Sequence, residues 1–392
     1  MVIPRLSPPP TRAPALRFGV EEEFLLVDAA TGAAVPRAEQ VLTEAARTLG
    51  GRAQGEFCAT QVEGCTRPVT SAAALREDLV GVRRVLGEAA ALAGCLLIAS
   101  GTPVLPSPHP LPLNGSGRYH RIFEHVGPVA DQAGGEMCGC HVHVGDLTRA
   151  EALAVGNRLR RWLPALHALS ANSPYCEGLD RGVASYRTVC FGRWPTVGPA
   201  PVLDEHGYER TMERLLGTGV LLDRRMVYWY CRPSEHLPTL EVRVADVNAD
   251  LDTTVLIAVL VRALVAVLLQ EVRSGTPDRE VAPGLLRAAH RRAARVGLGG
   301  AWLDPGTGRA RPAPVLLAEL LRFAEPALDA HGDLPRARRL LTRTVTCGTG
   351  ADRQRASFAQ RGSLRDVVAD LADLTARDAQ GAGRPRTLTA SR

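Results

Sequence analysis

The run Arg17–Asp28, RFGVEEEFLLVD, sets three adjacent carboxylates inside an apolar stretch. On a β-strand successive side chains alternate, so Glu21 and Glu23 share one face and Glu22 points to the other. Two like charges on one face repel, and one is driven toward protonation unless something positive sits between them. Hard oxygen ligands at this spacing suit a divalent cation. The plainer alternative is a solvated edge strand with scattered acids.

Three more stretches carry similar chemistry. In Gly55–Glu63, Gln61 and Glu63 share one face of a short strand, with Glu56 in the preceding turn. The segment Cys138–Gly145, CGCHVHVG, invites a zinc reading. Strand alternation argues against it, because Cys138, Cys140, Val142 and Val144 face one way and His141 and His143 the other. In Thr239–Asp246, TLEVRVAD, Glu241 and Arg243 lie on one face and Leu240, Val242 and Val244 on the other. A carboxylate beside a guanidinium suits a site holding both a metal and the phosphates that bridge it. A simple salt-bridged strand is the alternative. Polar loops at 117–121, 171–174 and 185–187 add Arg118 and Arg187, either of which could clamp a carboxylate through paired hydrogen bonds or serve the scaffold.

These residues need a sheet to gather them. Strands are predicted over 18–27, 61–65, 95–100, 138–144, 226–231 and 240–245, and helices over 71–93, 149–170, 206–217, 252–273, 284–296, 314–330 and 363–376. Leu75, Leu79, Val82, Leu86 and Ala93 give the first helix an apolar stripe, and Thr148 with Glu151 resembles a capping box. Strands and helices mix without regular βαβ alternation, which predicts an α+β fold. No Gly-rich loop follows a strand, so any nucleotide phosphates must be held by metal ions and arginines.

The composition narrows the partners. All 47 basic residues are arginine, spread through the chain among acids, and aromatic residues are only 4%. That is too few for the stacking platforms of nucleic-acid binding, so nucleic acid is not expected as a partner. Nine cysteines without a regular framework read as reduced, cytoplasmic thiols. Met1–Ala15 is Pro-rich and lacks the apolar core of a secretory signal. The longest apolar segment, Val255–Leu269, is interrupted by Arg262 and reads as a buried core helix rather than a membrane span. Residues 1–16 are expected to be a disordered lead, 17–377 a single domain with a helical C-terminal part from about 275, and 378–392 a polar tail.

Together the motifs resemble the type 2 glutamate–cysteine ligase family, also called carboxylate–amine ligases and related in appearance to glutamine synthetase. The matching stretches are FGVEEEFLLVD (18–28), the acidic element 56–63, CGCHVHVG (138–145), ALSANSP (168–174), ASYR (184–187), GRWPTVG (192–198), RPS (232–234) and TLEVRVADV (239–247). They follow the family's order. The resemblance implies a glutamine-synthetase-like, curved antiparallel sheet forming a funnel, with helices packed on its outer side. It implies magnesium ligands at Glu21, Glu23, Glu56, Glu63, His141 and Glu241, with manganese as a substitute. Arg243 would touch ATP phosphates and Arg187 the carboxylate of the amino-acid substrate; Arg118, His143, Asn172 and Ser185 are further substrate-binding candidates. The implied reaction joins glutamate to cysteine through a γ-glutamyl phosphate, using ATP; the alternative is ligation to another amine, for example in secondary metabolism. A homodimer is plausible on the same ground. Tyr230 stands where the family pattern has an acid, which bears on the acceptor amine, and Gly64–Cys65 replaces a small aliphatic pair.

Overall fold

Buried on both faces from Glu22 to Val27, the run Phe18–Asp28 is the central strand, β1, of a seven-stranded antiparallel sheet in the computed structural model, which describes residues 16–115, 117–127 and 135–378. Across the sheet the order is β2 (Ala53–Gly55), β3 (Gln61–Cys65), β1, β5 (Gly139–Val144), β9 (Leu240–Asp246) and β8 (Cys231–Pro233). Strand β4 (Cys95–Ile98) pairs the C-terminal end of β1. A small hairpin of β6 (Tyr175–Cys176) and β7 (Leu179–Asp180), and another of β10 (Ala301–Asp304) and β11 (Arg309–Pro312), lie apart from it. The lead expected over 1–16 and the tail expected over 378–392 fall, but for their innermost residues, outside the described residues.

One face of the sheet is the core. Phe18 and Val20 of β1, Val142 and Val144 of β5, and Leu240 and Val242 of β9 pack with the helices Ala72–Leu92, Arg149–Leu159 and Leu251–Arg273. At the far end of β1, Phe24 and Leu26 join a second core with the helices Ala38–Leu49 and Leu364–Ala376. The fold is therefore α+β: an open antiparallel sheet with long helices against its core face, while the short helices Gly117–Val126 and Tyr186–Phe191 stand on the other.

Leu251–Arg273, the one helix among the described residues long and apolar enough to cross a membrane, is mostly buried in the protein. Its Arg262 is neutralised there by Asp333, bonds the Thr70 carbonyl and lies 4.1 Å from the centre of the Phe18 ring.

Several local expectations need correction. The helix expected over 149–170 is two helices, Arg149–Leu159 and Leu163–Leu169, because Pro164 has no N–H to give and its ring crowds the preceding turn. The strand expected over 226–231 reaches the sheet only at Cys231–Pro233, since Asp223 accepts from Arg225 N–H and starts a 3-10 turn at Arg224–Met226. The helices Ala38–Leu49, Gly117–Val126, Tyr186–Phe191, Leu334–Cys347 and Gly350–Arg361 were not foreseen; the first builds its buried stripe on Ala38, Val41, Ala45 and Leu49, a weak apolar signal. The capping box of Thr148 and Glu151 is present.

Candidate active site

Antiparallel register assembles the site on the face opposite the core helices. Glu21 stands directly opposite Cys65 on β3 and His141 on β5, Glu23 opposite Glu63, and Glu241 opposite both His143 and Arg232. Side chains paired in this way point to the same side of a sheet. Glu22 turns the other way, as alternation requires. It is fully buried, bonded by Arg83 Nε at 2.8 Å and by Thr254 Oγ1 at 2.8 Å.

Strict alternation fails once, on β9. Pairing steps from Cys140↔Ala245 to Val142↔Val242, so β9 carries one residue more than β5. This β-bulge sends both Val244 and Ala245 into the core and returns Asp246 to the site face. Asp246 is fully buried; it accepts from Asn172 N at 2.9 Å, Ser173 Oγ at 2.7 Å and Ser185 Oγ at 2.9 Å, and lies 3.9 Å from Arg187 Nη1. The Arg187 guanidinium rests against Gly139, where a Cβ would fall 2.3 Å from its Nη2. Only glycine leaves room for it.

The electrostatics are those of a site short of positive charge. Burial pushes Glu56 up to about 8, Glu23 adding to the shift and Arg243 and Glu63 opposing it. Burial likewise raises Glu63 well above the carboxylate range, aided by Glu21, Glu56 and Glu23. Glu21 goes the other way: burial resists its ionisation, but the adjacent His141 and His143 outweigh that and lower it. Glu241 too is held well below the carboxylate range, its burial overcome by Arg243 and Arg232. His141 is lowered by burial and Arg243, whereas His143 is raised because Glu21 and Glu241 outweigh its burial. His143 Nε2 stands 3.2 Å from Glu21 Oε1, and its Nδ1 2.9 Å from Thr239 Oγ1.

A cavity of about 170 Å³ opens over this face. Of the candidate residues, Glu21, Glu23, Glu56, Glu63, His141, Arg118, Arg187 and Arg243 line it. Arg118 does so with its fork engaged by Asp223, at 2.7 and 2.9 Å. Asn172 and Ser185 stand behind the cavity. The Asn172 amide donates to Ala99 O and Val247 O and accepts from Gln354, so it knits loops together instead of presenting a free group. Tyr230 is also outside the cavity: it packs in the core with its ring 4.6 Å from that of His290, so the departure noted at this position does not touch the cavity.

Unforeseen are Asp246, buried behind Arg187, and in the cavity lining Arg225 and an aromatic wall of Phe57, Tyr119, Trp194 and Tyr228 joined by edge-on contacts. The signal available was adjacency, since Phe57 follows Glu56 and Tyr119 follows Arg118 in an aromatic-poor chain.

The donor set fits a divalent cation. Three groups bring ligand atoms within 4.8 Å of one another: Glu21, His141 and Glu241; Glu23, Glu63 and His141; and Glu21, Glu63 and Cys65. His141 Nε2 is buried and makes no hydrogen bond. Carboxylates with a single imidazole suit magnesium or manganese better than a thiolate-seeking ion. Glu241 is the least free of these ligands, with Oε1 on Arg243 and Oε2 on Arg232 Nε at 2.9 Å.

The family model described as glutamate–cysteine ligase family 2 (GCS2) matches residues 17–370. A protein of Salinispora tropica whose provisional name is glutamate–cysteine ligase 2 is 44% identical over 363 residues, covering 92% of this chain and 95% of its own length. Among solved structures, a bifunctional glutathione synthetase from Pasteurella multocida is similar with a TM-score of 0.70 at 17% identity, over 93% of this chain. The match spans only 52% of that longer protein. A glutamate–cysteine ligase from Francisella tularensis in complex with AMP is similar with a TM-score of 0.68 at 13% identity, over 96% of this chain and 90% of its own. At such identities the two structures speak for the fold alone.

Proposed function

The chain belongs to glutamate–cysteine ligase family 2, and from that premise we propose that it joins the γ-carboxylate of glutamate to an amino-acid amine, cysteine first among them, using ATP and a divalent cation. The observation that carries the reading is the convergence of Glu21, Glu23, Glu56 and Glu63 with Arg187 and Arg243 on one cavity. The AMP held by the Francisella ligase supports an adenine nucleotide as co-substrate. Residues 17–377 act in this reading as one cytoplasmic ligase domain, working on small molecules and not on membranes or nucleic acid.

Amide formation of this kind needs no protein nucleophile. The glutamate γ-carboxylate attacks the γ-phosphate of ATP, giving an acyl phosphate and ADP; the amine then displaces phosphate through a tetrahedral intermediate. The chain's task is to bring two anions together and keep water from the acyl phosphate. Arg187 and Arg243 each keep a buried Nε–H without a protein partner, a donor left for an anionic substrate. Arg187 takes a carboxylate of the amino acid; Arg243, fixed by Glu241, takes phosphate oxygens. Glu21, Glu23, Glu56, Glu63 and His141, with Glu241 shared, would hold the cation. When bound, it offsets the repulsion between phosphate and attacking carboxylate. The aromatic wall gives the cavity an apolar lining beside these charges.

Product mass spectrometry after incubation with ATP, magnesium, glutamate and pooled amines tests the reading. A γ-glutamyl amide with stoichiometric ADP is expected, and the product's mass identifies the amine, cysteine or another. ATP left unconsumed across the whole pool would sink it.

A further inference from the structure

A string of buried hydrogen bonds behind the cavity ends on the carboxylate that anchors Arg187. Its far end is His290, on the helix Pro283–Val296, whose Nδ1 lies 3.3 Å from Nδ1 of His167, on the helix Leu163–Leu169. His167 Nε2 meets Thr188 Oγ1, Thr188 Oγ1 lies 2.9 Å from Ser185 Oγ, and Ser185 Oγ lies 2.9 Å from Asp246 Oδ1. Both imidazoles are buried, His167 at 0% and His290 at 2% exposure. Burial keeps both neutral: His167 is pushed down to about 3, with Arg187 adding to the shift, and His290 well below its usual range, with His167 adding.

The proton positions follow from counting donors. An ionised carboxylate only accepts, and Asp246 Oδ2 already takes Asn172 N–H and Ser173 O–H. Oδ1 takes the Ser185 hydroxyl proton. Ser185, its one proton used, must accept from Thr188, and Thr188 must then accept from His167 Nε2–H. A neutral imidazole has a single N–H, so His167 Nδ1 is an acceptor and His290 Nδ1–H the donor to it. Every link now holds one proton, and all run toward Asp246. With Asp246 ionised and both rings neutral, other assignments leave a link with two protons or none. The remaining group, His290 Nε2, is a lone pair that makes no hydrogen bond.

We propose that His167 and His290 are positioning residues whose ordered chain of protons fixes Asp246 and, through it, the Arg187 guanidinium against Gly139. The backbone supports the coupling: Ser185 N–H and Ala184 N–H both donate to Ala294 O, tying the helix of His290 to the loop that carries Ser185. Arg187 N–H donates to Ser173 Oγ at 3.1 Å, so the same carboxylate also holds the arginine's backbone in place. The substrate role of Arg187 rests on the ligase reading; the order of the protons does not.

Nitrogen NMR of the histidine-labelled, full-length protein reads the tautomers directly near neutral pH. His167 as Nε2–H and His290 as Nδ1–H are expected; the opposite tautomer at either ring, or a protonated ring, overturns the chain. Thr188→Val removes one hydroxyl with little change of shape. It is expected to raise the KM for glutamate roughly tenfold while the KM for ATP stays within about twofold, and Thr188→Ser is expected to restore both. His167→Gln, which keeps an N–H at the Nε2 position, should retain more of the glutamate affinity than His167→Phe. An unchanged KM for glutamate in folded Thr188→Val overturns the positioning role, provided that Arg187→Lys does raise it. Should Arg187→Lys leave that KM untouched, the ligase assignment of Arg187 is what fails. The Arg187 Nε–H resonance then decides: a shift on Thr188→Val upholds the positioning, and an unmoved signal overturns it.

Discussion

Arg83 closes a buried ion pair on Glu22 directly behind the strand face that carries Glu21 and Glu23, with Nη2 2.5 Å from Oε1 and neither side chain more than 2% exposed. Removing one partner strands the other's charge in the core, which costs about 3–5 kcal/mol. Glu22→Ala and Arg83→Met are each expected to lose that much in denaturant titrations. A loss under about 1 kcal/mol would be that of a surface pair and would contradict the burial argument.

Glu23→Gln should leave the fold intact while turnover drops at least roughly 100-fold, because it removes one charge from the set Glu23, Glu63 and His141. ADP release and calorimetric magnesium titration check this together. Full activity with unchanged magnesium affinity would remove Glu23 from the cation site.

Between about pH 6.5 and 8, above the range in which the buried, neutral His167 and His290 favour the folded state as pH rises, the stability of the metal-free protein should fall with rising pH. Glu56 titrates near 4.5 when unfolded and near 8 when folded, so between these values the folded protein holds a proton that the unfolded chain has released. Its contribution is complete below about 4.5 and lost as pH passes about 8, a change of a few kcal/mol at most. Glu56→Gln should flatten the profile of unfolding midpoint against pH. Magnesium at 100 times its dissociation constant should restore about 2.7 kcal/mol on the alkaline side. A wild-type midpoint that climbed between about pH 6.5 and 8 in the absence of metal would reverse the sign.

Gly139→Ala puts a methyl group 2.3 Å from Arg187 Nη2 and 2.8 Å from its Cζ. The guanidinium must move, and a displacement of this size in the group proposed to hold the amino acid is expected to cut kcat/KM about 100-fold. Steady-state kinetics with a circular-dichroism control tests this; a fully active, folded variant would show that Arg187's place is not needed.

Much of the site was legible because period-two alternation is a strong constraint. Glu21 and Glu23 on one side of β1, Glu22 on the other, and His141 with His143 opposite their cysteines all follow from that period, as observed. What alternation could not reveal were the partners. Arg118 reads as a free clamp until Asp223, 105 positions later, fills its fork. Asn172 and Ser185 carry functional-looking groups, yet spend them on Ala99, Val247 and Asp246. Asp246 itself was hidden because an unbroken strand would turn it inward beside Val244; an extra residue is invisible in the pattern of one strand and exists only relative to its neighbour. The broken helix at Pro164 was the readable exception, since proline announces itself.

Were β9 to pair with β5 residue for residue at its present length, without the bulge, everything beyond Val244 would rotate by half a period. Glu241 and Arg243 would stay with the cation and phosphate side, while the anchor of Arg187 swung beneath the sheet. Losing that one irregularity would thus separate the proposed grip on the amino acid from the proposed grip on the nucleotide, which the single bulged strand keeps in register.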